Sequence, residues 1–200
     1  MDPDATKIIN DLSESNIKES AKYLYRKVKE KEPSSFYRGA KVYHLGDLGT
    51  GYILLVDQDK VVYFVRHKKI NYSGFGLGRQ VLLWRDKDSG TVTDGFAQSV
   101  FFNVLLKKYG ALIADKEQTR NGSAFWGNAI NSAFARNLHV YCFDRRGDIK
   151  LTELKNEDDV WEYADILWGK TPAHIHTFAV ISSKQLKLRT TPKETNGAES

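Results

Sequence analysis

Residues 95–115 read GFAQSVFFNVLLKKYGALIAD, and the arrangement of the other elements is best understood from this stretch. Its first part places apolar residues at the three-and-four spacing of an amphipathic helix, which ends at Tyr109-Gly110. Residues 111–114 follow directly as a short apolar run that is typical of a buried strand. A helix therefore leads straight into a buried strand near the middle of the chain.

Short apolar runs separated by turn residues come before this stretch. An amphipathic helix begins near Ile17 and stops at Glu32-Pro33. The later runs predict the strands of an antiparallel meander, joined by a tight hairpin and by a looser, glycine-rich one. These strands are residues 41–45, 52–56, 61–66 and 79–85, and the two connections are residues 57–60 and 73–78.

Helices and strands alternate after this stretch. The predicted elements are a helix through residues 125–134, strands at 138–143 and 149–154, an acidic helix at 157–168 and a last strand at 175–181. Two helix–strand units after an antiparallel sheet predict an α+β (mixed α/β) fold, with a central, mostly antiparallel sheet flanked by helices. We expect a single domain over residues 1–188. Residues 189–200 are too polar to bury a core, which predicts a disordered C-terminal tail.

The composition is typical of one folded domain in a reducing compartment. The 200 residues are 41% hydrophobic, and 30 Lys and Arg against 25 Asp and Glu give a net charge of +5. This net positive charge favours binding to polyanions, but it is far smaller than that of a protein dedicated to binding nucleic acid. The single Cys142 forms no internal disulfide, no apolar run approaches the roughly 20 residues of a membrane span, and the first residues are acidic. These features predict a cytoplasmic protein that does not bind membranes.

The order of the predicted elements resembles the acyl-CoA N-acyltransferase superfamily, also called the acetyltransferase fold. The resemblance covers residues 17–154 and is strongest over residues 95–144. In that superfamily the pantetheine of the cofactor lies between two splayed strands, and its pyrophosphate contacts backbone N–H groups at the start of the following helix. The resemblance implies an acetyltransferase-like fold, acetyl-CoA or another acyl-CoA as cofactor, and acyl transfer to a small-molecule or macromolecular amine.

The resemblance places the cofactor at the start of the helix. The residues assigned to cofactor binding are Gly95, Phe96, Ala97, Gln98 and Ser99. Gly95-Phe96-Ala97 supplies a Gly-x-Ala sequence, while Val92 stands where the family has Gln or Arg. In the alternative interpretation Asp94 only caps a helix, in a chain that keeps the fold and has lost the activity.

Acyl transfer to an amine needs a base for the proton of the amine and an acid for the leaving thiolate. Asp115 and Glu117 follow the predicted strand at 111–114 and are the candidate catalytic carboxylates. Tyr141, on the next strand, is the candidate acid, with Tyr109 as a second choice. The alternative is that the two carboxylates only solvate a loop.

A non-catalytic binding module is the rival interpretation. The basic residues that would contact nucleic-acid phosphates are Arg66, Lys68, Arg79, Arg145 and Arg146. Tyr63, Phe64 and Tyr72 lie among them and would stack on exposed bases. On this interpretation the chain is a phage or mobile-element protein that binds nucleic acid or a host protein. The acidic helix at 157–168 offers a further surface for a protein partner.

The glycine-rich segment before Arg79 does not predict a dinucleotide site. Gly74, Gly76 and Gly78 lie between two predicted antiparallel strands and open no helix. They predict a mobile hairpin instead.

Histidines and the cysteine do not predict a metal site. His174 and His176 alternate on a predicted strand, and His139 and Cys142 lie on a neighbouring one. These groups lack the closed, four-ligand spacing of a structural zinc site, so we expect no metal. Cys142 lies inside an apolar run, which predicts a packed thiol of low reactivity.

Overall fold

The computed structural model describes residues 14–46, 49–72, 76–114, 120–146, 149–168 and 176–187. The helices in these ranges are α1 (Glu14–Val28), α2 (Phe96–Ser99, Val100–Leu106 and Lys107–Tyr109, which run on as one helix), α3 (Arg120–Phe134) and α4 (Glu157–Trp168). The strands are β1 (Ser35–Tyr37), β2 (Ala40–Gly46), β3 (Thr50–Asp57), β4 (Lys60–Tyr72), β5 (Gly76–Arg85), β6 (Ala111–Ile113), β7 (His139–Asp144), β8 (Lys150–Leu154) and β9 (Thr177–Ser182). A 3-10 turn (Gly90–Thr93) leads from β5 towards α2. Among the described helices none is both long and apolar enough to cross a membrane.

The strands form one sheet in the order β1-β2-β3-β4-β5-β6-β9-β7-β8. Every neighbouring pair is antiparallel except β5 and β6, which are parallel. The parallel pair arises because α2 carries the chain from the end of β5 back to the start of β6. The predicted α+β class with a mostly antiparallel sheet is confirmed.

The two faces of the sheet are covered differently. On one face, the three-helix face, α2, α3 and α4 build a core that includes Phe101 and Trp126. On the other face, the α1 face, Leu24 of α1 packs against Leu54 and Phe64. All five side chains are buried, and full burial of such a side chain contributes about 1.5–3 kcal/mol. Tyr141 and Phe143 of β7 also lie on the α1 face, in a separate cluster.

Glycines in the left-handed region bound α2. Gly95 has φ +75° before the first turn, and Gly110 has φ +78° after the last, a conformation that L side chains rarely adopt. The predicted end at Tyr109-Gly110 is confirmed. The prediction of Asp94 as the cap was wrong, because Gly95 takes the N-cap position and the Asp94 carboxylate accepts a hydrogen bond from Arg85 at 3.2 Å.

The middle of α2 is π-helical, from Val100 to Leu106. A π-helix bonds each N–H to the carbonyl five residues earlier and so has a wider turn than an α-helix. Here Phe101, Phe102 and Leu105 are all buried. The sequence predicted a helix at this place but not its π-helical geometry.

The predicted meander is confirmed, with different bounds. β4 extends to Tyr72 and β5 begins at Gly76, so Gly76 and Gly78 are strand residues rather than members of a mobile hairpin. Gly74 lies outside the described residues. β1 was not predicted, since two of its three residues are exposed and the apolar alternation of a strand is missing.

The second half of the chain follows the predicted order of elements. β9 begins at Thr177, so His176 precedes the strand rather than lying on it, and His174 is outside the described residues. The predicted tail at 189–200 also lies outside them. What the sequence did not predict is that β9 inserts between β6 and β7.

Candidate cleft between two strands

The pairing between β5 and β6 is very short. Only Arg79↔Leu112 and Gln80↔Ile113 are registered as partners across it in the described part of the chain. β5 then continues through Arg85 alongside β4, while Ala114, the last described residue after β6, donates its N–H to Ala179 O of β9 at 2.9 Å. The β5–β6 pairing therefore ends after Gln80 and Ile113 among the described residues, and we call the space beside residues 81–85, beyond this end, the cleft.

The narrow end of this cleft is closely packed. Gly78 of β5 lies against Ile113, and a Cβ on Gly78 would stand 2.6 Å from Ile113 Cδ1. No real Cβ makes so short a contact, so a glycine at this position leaves the space that the isoleucine fills. Both residues are buried. The close approach of Gly78 to Ile113 thus holds β5 and β6 together next to the pairs that they form.

The loop before α2 lies at the open end of the cleft, because it begins where β5 ends. Side chains from two other places hold it. Tyr37 donates its hydroxyl to Asp94 O at 2.7 Å, and Arg38 donates to Thr91 O at 3.2 Å. Arg85 donates to Gly90 O at 2.9 Å as well as to the Asp94 carboxylate. Sequence reasoning missed these two arginines, because their contacts depend on the fold.

Backbone groups at the start of α2 are the donors that this site offers. The first helical hydrogen bond runs from Ser99 N to Gly95 O at 2.9 Å. The N–H groups of Phe96, Ala97 and Gln98 therefore have no acceptor within the helix, and no side chain caps Gly95. Such amides, together with the positive end of the helix dipole, attract anions.

The predicted cofactor residues differ in how far they are buried. Phe96 and Ala97 are buried, and Phe96 lies edge-on to the rings of Tyr37 and Tyr63. Gln98 and Ser99 are half-buried. Gln98 and Ser99 are therefore more accessible to a ligand than Phe96 and Ala97.

The predicted catalytic residues are not assembled around the cleft. Asp115 and Glu117 lie outside the described residues. Tyr141 stands on the α1 face of β7, three strands from β5, or about 14 Å at roughly 4.8 Å per strand. Its hydroxyl accepts a hydrogen bond from Leu186 N at 2.9 Å. Burial, which outweighs that hydrogen bond, raises the pKa of Tyr141.

His139 and Glu153 lie beside Tyr141. His139 Nδ1 is 2.8 Å from Glu153 Oε1 across the β7–β8 pair, and the His139 ring stacks on Tyr141 at 6.3 Å between centroids. Both partners are about one-third exposed. The sequence did not single out Glu153, and only the strand register brings it opposite Tyr141.

A buried basic cluster lies near the narrow end of the cleft, on the three-helix face. The Arg79 guanidinium lies over the Tyr109 ring at 4.0 Å and donates to Gly49 O at 2.8 Å. The His67 ring packs on the same tyrosine at 5.4 Å. Burial, reinforced by the nearby charges of Arg79 and Lys108, lowers the pKa of His67 to about 4. His67 is therefore neutral at physiological pH.

The predicted nucleic-acid residues do not share a surface. Arg66 and Lys68 belong to the α1 side of β4, whereas Arg79 is 5% exposed on the opposite side. Arg146 is paired with the Asp144 carboxylate at 2.7 Å, beyond the end of β7.

Two of the three aromatic residues predicted to stack on bases are turned inward, and the side chain of the third, Tyr72, lies outside the described part of the structure. Tyr63 and Phe64 are buried, and Phe64 stacks on Trp84 at 5.4 Å.

Cys142 is buried, and burial raises its pKa to about 12. Within the described ranges, no three His, Cys, Asp or Glu side chains converge as metal ligands would.

Comparison with known proteins places the chain in no group, since no protein-family model and no curated protein matches it.

Proposed function

We propose that this chain binds acyl-CoA with the pantetheine in the β5–β6 cleft and transfers the acyl group to an amine. The observation that carries the proposal is the end of strand pairing after Gln80 and Ile113. It leaves the backbone of residues 81–85 without a strand partner on the cleft side, among the residues that are described. A backbone edge of this kind hydrogen-bonds an extended ligand that carries amides. Pantetheine is such a ligand, because it contains two amide groups.

The surroundings of the cleft support the same proposal. Two neighbouring strands with a short pairing, together with the start of α2, match the splayed strands and the helix start that the resemblance to the acetyltransferase fold implies. Unbonded amides at the start of α2 lie at the end of the sheet where the cleft opens, and Arg38 and Arg85 lie beside them. A pyrophosphate would take these donors. The Arg85 ion pair also offsets the charge of Asp94, which otherwise opposes an anion.

The catalytic groups remain part of the proposal. Asp115 and Glu117 follow β6 in the sequence, and we retain them as the candidate base. Tyr141 is a poorer candidate for the acid, because it is bonded to Leu186 on the far face and its pKa is raised. Nucleic-acid binding is not pursued, since Arg79 is buried and the other basic residues lie apart.

Calorimetric titration tests the proposal with two ligands, acetyl-CoA and S-acetylpantetheine. The second ligand lacks the nucleotide and its pyrophosphate, so the difference in affinity reports on the start of α2. We expect Arg85→Gln and Arg38→Gln to weaken acetyl-CoA about tenfold each, the effect of one charge-assisted hydrogen bond. Neither substitution should change the affinity for S-acetylpantetheine.

Lys150→Gln is the matched control, because Lys150 is an exposed cation on β8 at the far edge of the sheet. It should leave both affinities unchanged. If all three variants lost the same affinity for acetyl-CoA, the effect would come from net charge alone. The absence of a heat signal with either ligand would refute acyl-CoA binding.

A further inference from the structure

An open groove of about 650 Å³ lies between α1 and the end of β5, on the α1 face. This volume is within the usual range for small-molecule sites. Apolar surface in the groove comes from Ala21 and Val61 and from the rings of Tyr25 and Trp84. Such a lining accommodates the apolar body of a ligand.

The two walls of the groove carry opposite charges. α1 contributes Lys18, Lys22 and Arg26, which recur every four residues and so lie along one side of the helix. The turns at the end of the sheet contribute the carboxylates Asp59, Asp86 and Asp88, together with Lys60.

Some of these charges already have partners within the protein. Lys60 pairs with Asp86 at 3.3 Å, and Lys22 pairs with Glu19 at 2.7 Å. Among the described residues, the side chains of Arg26 on the helix wall and Asp88 on the opposite wall make no ion pair or hydrogen bond. The Arg26 and Asp88 side chains thus have no bonded partner in the described protein, although the Glu19 carboxylate, which pairs with Lys22, also feels the charge of Arg26.

The Asp86 carboxylate stays ionised at neutral pH. Burial raises its pKa, but the Asp88 N–H and the Lys60 ammonium more than offset burial and hold the pKa below its usual value. The acidic wall therefore keeps its charge in the range where an amine ligand is protonated.

We propose that this groove binds a small zwitterionic amine, with its ammonium group towards Asp86 and Asp88 and its acidic group towards Lys22 and Arg26. The apolar part of the ligand lies against Tyr25 and Trp84. Binding of this ligand does not require acyl-CoA. If the proposed function also holds, the ligand of this groove is the amine that accepts the acyl group, because Asp86 directly follows β5 at the end where the cleft opens.

Three related probes separate the contributions of the two charges. L-phenylalanine carries both groups, phenethylamine carries only the amine and 3-phenylpropionate only the acid. Binding to the full chain is followed in the absence of acyl-CoA by tryptophan fluorescence excited at a wavelength that phenylalanine does not absorb. Trp84→Phe identifies the signal that comes from the groove.

We expect phenylalanine to bind about tenfold more tightly than either single-charge probe, since each charge contact adds a charge-assisted hydrogen bond. Arg26→Gln should weaken phenylalanine about tenfold and leave phenethylamine unchanged. Asp88→Asn should weaken phenylalanine similarly and leave 3-phenylpropionate unchanged. Lys150→Gln, far from the groove, should change none of the three.

Equal affinities of the three probes for the wild-type protein would overturn the proposal. So would a fluorescence response that survives in Trp84→Phe, or the absence of any response to phenylalanine at millimolar concentration. Because no acyl-CoA is present, each of these results is distinct from a failure of the proposed acyl transfer.

Discussion

Gln80 and Ile113 form the last residue pair between β5 and β6, the two parallel neighbours in this sheet. Beyond them β5 keeps its pairing with β4 through Arg85, while Ala114, the last described residue after β6, donates its N–H to Ala179 O of β9. Among the described residues the β5–β6 pairing therefore ends at a defined position, and the proposed cofactor site depends on that end.

The packing of Gly78 against Ile113 predicts that Gly78→Ala destabilises the fold. A Cβ there would meet Ile113 Cδ1 at 2.6 Å, and Ile113 is fully buried. We expect a loss of about 1–3 kcal/mol in the free energy of unfolding, measured by chemical denaturation.

The matched control is Gly127→Ala, because a Cβ on Gly127, in α3, meets nothing within 4 Å. It should raise stability by about 0.5–1 kcal/mol. Adding Ile113→Val to Gly78→Ala removes the Cδ1 atom and should recover part of the loss. If the two alanine variants were equally stable, the close approach at Gly78 would be disproved.

Acid should destabilise the protein through His67. The unfolded chain protonates this histidine below pH 6.5, whereas the folded protein does so only near pH 4, because burial lowers its pKa. Stability is therefore lost as the pH falls from 6.5 to 4, by at most about 3 kcal/mol from this group. Denaturation curves across this range should show a shallower pH dependence for His67→Gln, and an unchanged slope would contradict the assignment.

The sequence predicts those parts of the fold that depend on residues close together in the chain. The ends of α2 follow from residues near them in the chain, and Gly110 stops the helix as expected. The insertion of β9 between β6 and β7 joins residues some 70 positions apart, such as Ala111 and Ser182, and no local pattern encodes it.

The same distinction between nearby and distant residues applies to the candidate site. Its position at the start of α2 was predicted from the sequence, whereas Arg38 contacts the loop from 53 residues away. Arg79 was predicted to bind phosphates because charged residues are usually exposed. The structure instead buries it under Tyr109, thirty residues later in the chain.

The position of Arg79 predicts that Arg79→Lys is not a conservative change. Lysine has no planar group to stack on Tyr109 and cannot present the same donor to Gly49 O. The free energy of unfolding should fall by about 1–3 kcal/mol. Tyr109→Phe keeps the aromatic face and should cost less than half as much. A wild-type melting curve for Arg79→Lys would show that neither contact matters.

The Cys142 thiol should be inert in the folded protein. It is 2% exposed, and burial raises its pKa to about 12, so the reactive thiolate is scarce. An aromatic disulfide reagent at pH 8 should label native protein at least about 100-fold more slowly than protein unfolded in guanidinium. Rapid labelling of the native state would mean that β7 opens readily.

Binding of the pantetheine of acyl-CoA along the free edge of β5 should change the residue-resolved exchange of backbone amides, measured with and without acetyl-CoA. In the free protein the alternate amides of residues 81–85 that face away from β4 should exchange readily, and saturating acetyl-CoA should slow them at least about tenfold. Amides of β8, at the distant edge of the sheet, should keep their rates. Unchanged exchange at residues 81–85 in protein shown to bind acetyl-CoA would contradict the account.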